Sequence, residues 1–457
     1  MRADTKNDFT LEGTANSDEV YELPIDPNKI SKASKLDKIR ICGGIKLNGR
    51  IRVSGAKNAA LKLMCASLLT KDTLRLENMP VYLGDIQTLA AVLSYIGVNV
   101  SMRSDGIAQL TADNIKKPEA PYDLVRKMRA SVLVLGPMLA RYGRAKVSLP
   151  GGCAIGTRPV DFHIEGLRAM GADIIIEKGN IIAKAPKGGL QGAEYTFPRV
   201  SHTGTENLMM AATLAQGTTV LSNCAREPEV SDLGECLKAM GAKIEGLGTN
   251  QITIHGQTEL SGATHQVIDD RIETGTWLMA VGLTGGEIYL ENASLTHLKS
   301  LLGPLSEAGV HVEEQSNGDI KVWRNGRRLK GIDIMTEPYP GFPTDLQAQM
   351  MALLTMSEGA GMITETIFEN RFMHVPELNR MGANIHVQGN SAIIRGVKQL
   401  HGTTVMATDL RASVALVLAG LVAQGETILD RVYHLDRGYE KIVEKLQGLG
   451  ANIKRIQ

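Results

Sequence analysis

Residues 162–177 read FHIEGLRAMGADIIIE, and residues 439–456 read YEKIVEKLQGLGANIKRI. In the first, Leu167 and Met170 share one helical face, and a glycine follows. Glycine closes a helix in the left-handed conformation open to it, and the alternating residues beyond begin a strand. The phrase returns as IGVNV (96–100), MGADI (170–174), MGAKI (240–244), AGVHV (308–312), MGANI (381–385) and LGANI (449–453). By subtraction, its glycines (Gly97, Gly171, Gly241, Gly309, Gly382 and Gly450) are 74, 70, 68, 73 and 68 residues apart. Such a period marks a repeated structural unit.

Two further phrases complete each unit. TLRLEN (73–78), KVSLPG (146–151), TTVLSN (218–223), EIYLEN (287–292), MITETIFEN (362–370) and ETILDR (426–431) read as strands. Before each lies a more apolar stretch: 58–70, 130–142, 206–215, 275–283, 345–356 and 412–423. A helix apolar on all sides is buried on all sides. The prediction is an α/β fold with one buried helix per unit, and with strands and amphipathic helices outside. Six units suit two domains of three.

The chain has 457 residues with a formal net charge of +1, which gives no reason to expect nucleic acid or an anionic membrane as partner. The longest strongly apolar stretch, ASVALVLAGLVA from Ala412, is too short to cross a bilayer. Five cysteines without CxxC or Cys/His ligand spacing favour a reducing, cytoplasmic setting and no metal site. The first 26 residues carry seven acids against Arg2 and Lys6, with no apolar core of a signal peptide. Residues 1–35 read as a disordered or loosely attached acidic tail.

Charges gather just before the buried stretches: Lys57 and Asn58, Arg129, Ser201 to Asn207, Asp345, and Asp409 with Arg411. Parallel buried helices pool their positive ends, and cations added there create an anion site. Each position alone reads first as a solvated helix end, since charged side chains are ordinarily at the surface, and the set as a whole favours the anion site. Arg158, Arg371 and Arg437 fall in loops, with a surface ion pair as the plain alternative. Asp345, in GFPTDLQAQ, suits a helix N-cap and a general base equally, and Thr344 is as good a cap. Cys65, Cys224 and Cys236 read as structural, and His163 as a packed or solvated side chain. Cys153 differs, because LPGGCAIGTRPVD (149–161) is Gly-punctuated and carries Arg158 five residues on. A nearby cation favours the thiolate, and a mobile loop can close over a substrate.

These stretches, together with SGAKNAAL, MRAS, AREPEV, DRIETGT, FPTDLQAQ, TETIFENRFMHVPEL, ATDLRAS and HLDRGYE, resemble the enolpyruvyl transferase family of EPSP synthase-like proteins. Within it the resemblance is to the UDP-N-acetylglucosamine 1-carboxyvinyltransferases, from about Leu36 to Gln457. It implies two inside-out α/β barrel domains, each of three βαβαββ-type repeats: residues 56–269 with the cysteine loop, and residues 36–55 plus 270–457, with the active site between them. The implied reaction moves the enolpyruvyl group of phosphoenolpyruvate to the sugar 3-hydroxyl of UDP-N-acetylglucosamine, by addition then elimination with release of phosphate, in peptidoglycan precursor synthesis. No cofactor and no metal is implied.

By the same resemblance Cys153 is the acid over the alkene, alkylated by the epoxide fosfomycin, and Asp345 is the base. Lys57, Arg158 and Arg437 match phosphate-binding cations, Arg371 and Arg411 carboxylate-binding ones, and Asn58 accompanies them. The sugar nucleotide falls to Arg129, Arg158, Pro159, Val160, Asp161, Phe162, Arg199, Ser201, Asp345 and Ile367. RVSHTGT (199–205) departs from the family's Lys-Val-Ser-Val-Gly, so His202 and Thr203 alter size and polarity beside the nucleotide. Two other readings stand beside this one. The 3-phosphoshikimate transferase of the same fold lacks the cysteine loop, and a catalytically weak paralogue would serve in binding or regulation.

Overall fold

The structure, a computed structural model, describes residues 20–23, 25, 37–125, 128–149 and 160–457, with Arg129 described in its backbone alone. Six four-stranded sheets share one connectivity. In each, one strand pairs in parallel with a second, which pairs antiparallel with a third, which pairs antiparallel with a fourth. A buried helix precedes the second strand every time: α1 (Lys57–Ala66), α2 (Leu135–Tyr142), α3 (His202–Ala212), α4 (Arg271–Thr284), α5 (Gln347–Leu354) and α6 (Leu410–Val422). For α2, α3, α5 and α6 the helix is the crossover that a parallel pair requires. The other two first strands come from distant chain: Ala263–Gln266 for the α1 unit and Leu47–Arg52 for the α4 unit.

All six predicted glycines have φ between 89° and 118°, where a Cβ would clash, so the recurring phrase is a helix stop dictated by backbone geometry. The strand-ending asparagines Asn78, Asn223 and Asn292 share a left-handed φ of 54–56°. Each donates its amide to a backbone carbonyl, of Val267, Phe197 and Val53 respectively, at 2.8–2.9 Å. Asn tolerates this conformation better than other side chains.

Two hydrophobic cores result. One runs from Ala56 to Val267, and the other joins Ile39, Ile41, Leu47, Ile51 and Val53 to residues from Ile272 to Ile453. In the second, α4, α5 and α6 pack on one another, and all of α4 but Thr284 is buried. Apolar residues all round need neighbours all round, and the other two helices supply them.

The structure differs from the sequence reading in two places. Lys57 and Asn58 form the first turn of α1 rather than preceding it, and Asn207 lies inside α3. The stretch 130–142 divides into a 3-10 helix (Arg129–Val134) and α2, with Pro137 in the first turn of α2, where its missing N–H costs no bond. Among the described residues of the acidic segment, Tyr21–Leu23 are attached by hydrogen bonds. Leu23 N donates to Met102 O at 2.7 Å, Ser104 N to Tyr21 O at 2.9 Å, and Ser101 Oγ to Glu22 at 2.8 Å. It thereby meets the C-terminal end of the edge strand Asn99–Met102, and an exposed sheet edge invites wrong pairing. Deleting residues 1–25 is expected to cost about 1–3 kcal/mol in urea unfolding, the worth of a few net hydrogen bonds. An unchanged midpoint would show that the segment contributes nothing.

Candidate active site

Asp345 occupies a 3-10 turn (Thr344–Leu346) that feeds α5, and Arg411 the first turn of α6. Arg371 lies in a loop shaped by buried Glu365, which accepts from Thr336, Thr344, Ile367 N and Phe368 N at 2.8–3.2 Å. These elements converge: Arg371 Nη2 is 2.7 Å from Asp345 Oδ1, and Arg411 Nη2 is 2.7 Å from Asp345 Oδ2. Asp345 caps no helix, and the Thr344 hydroxyl donates to Glu365. The N-cap reading of both residues is therefore corrected. Burial opposes ionisation of Asp345, but Arg411 and Arg371 outweigh it and hold the carboxyl well below the ordinary range. The cap of α6 is Asp409, which accepts from Arg411 N and Ala412 N at 2.8 and 3.0 Å.

A second acid sits between a second pair of cations. Lys57 Nζ is 3.2 Å from Asp85 Oδ2, and Arg437 Nε is 2.8 Å from Asp85 Oδ1. Asp85 stands in the first turn of the outer helix Gly84–Ile96, and Arg437 ends the 3-10 helix Val432–Arg437. Burial lowers the Lys57 pKa more than Asp85 raises it, and Arg411 and Arg437 lower it further. Asp345 and Arg411 thus act on Lys57 across the space between, so the two clusters share one field. Asp270 joins the cores beside them: it caps α4 through Ile272 N and Glu273 N and accepts from Lys57 N at 3.3 Å. Formal charges sum to +2, four cations against two carboxylates, which suits a small polyanion.

Val160, Asp161 and Phe162 start the helix Asp161–Ala169, and Ser201 caps α3 by accepting from Gly204 N at 3.1 Å. Buried His163 brings the two helix starts together, through Asn207 at 2.8 Å and Thr203 at 3.3 Å. Burial pushes its pKa down to about 4, so it is neutral. Arg199 is exposed just ahead of α3, and Asn58 lies partly buried on α1. His202 leans toward buried Glu206 at 3.8 Å, whose other oxygen meets Lys62 at 3.2 Å. Cys153, Arg158 and Pro159 lie outside the described residues, as does the Arg129 side chain. Cys65, Cys224 and Cys236 are buried, and desolvation raises all three thiols, the latter two to about 12. Thiols so raised are poor nucleophiles.

Sequence reasoning missed four residues of this site. Glu365, Asp270 and Tyr439 each lie inside a motif already quoted (TETIFEN, DRIETGT, HLDRGYE), so their neighbourhood was flagged and their roles were not. Asp85 lies outside every motif. Among the described residues no group of His, Cys, Asp and Glu could hold a metal ion, and no helix is long and apolar enough to cross a membrane.

Six like sheet-and-helix units and a cation site bridged by two carboxylates define the class. The family model described as EPSP synthase (3-phosphoshikimate 1-carboxyvinyltransferase) matches residues 41–446. A UDP-N-acetylglucosamine 1-carboxyvinyltransferase of Rhodospirillum centenum is 61% identical over 431 residues, covering 92% of this chain and 99% of that protein. Another, of Agrobacterium fabrum, is 59% identical over 92% of this chain and all of that protein. The chain belongs to the UDP-N-acetylglucosamine 1-carboxyvinyltransferase family. The enolpyruvyl transferase NikO from Streptomyces tendae superposes with a TM-score of 0.82 at 25% identity, over 92% of this chain and 98% of that one. EPSP synthase from Acinetobacter baumannii, at 19% identity over 92% and 100% of the chains and TM-score 0.70, shares the fold.

Proposed function

We propose that this protein transfers the enolpyruvyl group of phosphoenolpyruvate to the 3-hydroxyl of UDP-N-acetylglucosamine, releasing phosphate, as a cytoplasmic step of peptidoglycan precursor synthesis. The observation that carries this is the pairing of cations around two carboxylates, Arg371–Asp345–Arg411 and Lys57–Asp85–Arg437. Phosphoenolpyruvate has two anionic ends a few atoms apart, and each needs its own cations. Arg371 and Arg411 take its carboxylate, while Lys57, Arg437 and Arg158 take its phosphate. The proposed frame is two inside-out α/β barrels, residues 56–269 and residues 36–55 plus 270–457, with the cleft between them. The two separate hydrophobic cores support it. The free cysteines among the described residues suit the reducing compartment.

The chemistry follows from these placements. Cys153 delivers a proton to the methylene carbon, leaving the adjacent carbon electrophilic. The 3-hydroxyl attacks that carbon as Asp345 removes its proton, giving a tetrahedral ketal. The Cys153 thiolate then takes a methyl proton, restoring the double bond as the carbon–oxygen bond to phosphate breaks, and Asp345 gives its proton to the departing phosphate. Asp345 is too weak a base while both arginines hold it. An incoming carboxylate draws on the same guanidinium groups and returns basicity to Asp345, so the base is strengthened when the donor arrives. Asn58 is proposed to accompany the donor's cations, and Arg129, Arg158, Pro159, Val160, Asp161, Phe162, Arg199, Ser201, Asp345 and Ile367 are proposed for the sugar nucleotide, with His163 fastening two of their segments together.

In heavy water the product is expected to be the enolpyruvyl ether with deuterium in its methylene group, read by mass spectrometry, because the addition step makes that carbon a methyl. Ether formed without deuterium would exclude the addition step.

A further inference from the structure

We infer that Tyr439 is a positioning residue for Arg411: its phenolic oxygen fixes one edge of the guanidinium while Asp345 fixes the other. This rests on the proposed reading, in which Arg411 receives the donor's carboxylate. Arg411 Nη1 is 3.3 Å from the Tyr439 hydroxyl, and Nη2 is 2.7 Å from Asp345. Gln349 Nε2 lies 3.0 Å from the same hydroxyl, 3.0 Å from the Asp345 carbonyl and 3.2 Å from Thr276 Oγ1. Guanidinium and amide nitrogens only donate, so the phenolic oxygen accepts from both. Its own proton then has one place to go, Thr276 Oγ1 at 3.0 Å, and the Thr276 hydroxyl donates in turn to Ile272 O at 2.8 Å. Every proton in the chain has a fixed direction, ending on a backbone carbonyl of α4.

The setting makes this hold firm. Tyr439 is 3% exposed, and Thr276, Gln349 and Arg411 come from α4, α5 and α6, the three helices packed at the centre of the second core. Burial also raises the phenol's pKa, so it remains a neutral acceptor and does not compete for the charge of Arg411. Asp345 alone would leave the guanidinium free to pivot about a single oxygen. Two acceptors on different elements fix its plane and leave its remaining N–H groups aimed at the donor.

Tyr439→Phe removes only the hydroxyl. The expected result is a rise of roughly tenfold in KM for phosphoenolpyruvate, with kcat and the KM for UDP-N-acetylglucosamine each within about twofold of wild type. A general structural defect would instead lower kcat or disturb both substrates. Thr276→Val, which keeps the phenol but strips its acceptor, is expected to act in the same direction by a few-fold, and it keeps the question open to test if Tyr439→Phe folds poorly. The substrate-free crystal structure of either variant reads the positioning without reference to activity, and Arg411 is expected to rotate away from its wild-type plane. Arg411 unmoved, or both KM values raised together, would overturn the inference. Arg411 displaced with the phosphoenolpyruvate KM unchanged would uphold the positioning and overturn the assignment of Arg411 to the donor's carboxylate.

Discussion

Asp345→Asn is expected to lower kcat by roughly 10²- to 10⁴-fold, the usual worth of a general base. The amide keeps the shape and loses both the charge and the capacity to take a proton. Stability is expected to fall with it, by about 3 kcal/mol. Arg371 and Arg411 have side chains only 4% and 5% exposed, and the variant leaves these buried cations without their counter-charge. The pH dependence has a definite sign. The folded-state pKa of Asp345 is depressed, so its contribution is full above the unfolded carboxyl value of about 4 and disappears as pH falls through the folded value. Urea unfolding should therefore show a wide gap between wild type and variant at neutral pH, closing in strong acid. A variant that keeps kcat within tenfold would remove Asp345 from the role of base.

Asp85→Asn is expected to act on donor binding. Lys57 is 8% exposed and its pKa is already lowered by burial; Asp85 is the main group opposing that. Without the carboxylate the ammonium loses its proton more readily, and a neutral amine holds phosphate poorly. The expected rise in KM for phosphoenolpyruvate is about 10- to 100-fold at neutral pH. Because the neutral form dominates above the lowered pKa, the penalty should grow as pH rises and shrink as it falls. Arg437, whose side chain is 40% exposed, loses less, since water screens it. A penalty independent of pH would mean that Asp85 acts through shape rather than through Lys57.

How far these residues were legible in the chain follows from the range of the interactions involved. The glycine phrase and the apolar stretches are local patterns with helical or alternating period, and the six sheets and buried helices match them. Lys57 and Arg411 were legible too, since charge at the start of an otherwise apolar stretch stands out, whereas Arg371 and Arg437, read as loop residues, were singled out by the family resemblance. Their partners were not. Arg437 and Asp85 are 352 residues apart in the chain, and Arg411 and Asp345 are 66 apart. No period or spacing encodes such pairs; only the tertiary fold brings them together. Asp345 suited a cap and a base equally because caps and bases share residue types and places. The side chain turns to two arginines instead, and Leu346 takes the position preceding α5. Tyr439 was hidden for another reason: nothing in HLDRGYE shows that its hydroxyl meets Arg411, Gln349 and Thr276, which come from three other helices.

The most direct test of the central claim is phosphate release from phosphoenolpyruvate by the full chain, measured alone, with UDP-N-acetylglucosamine, and with 3-phosphoshikimate. The expected result is release only with the sugar nucleotide, one phosphate for each acceptor consumed. Release with 3-phosphoshikimate, or none with UDP-N-acetylglucosamine, would contradict the account.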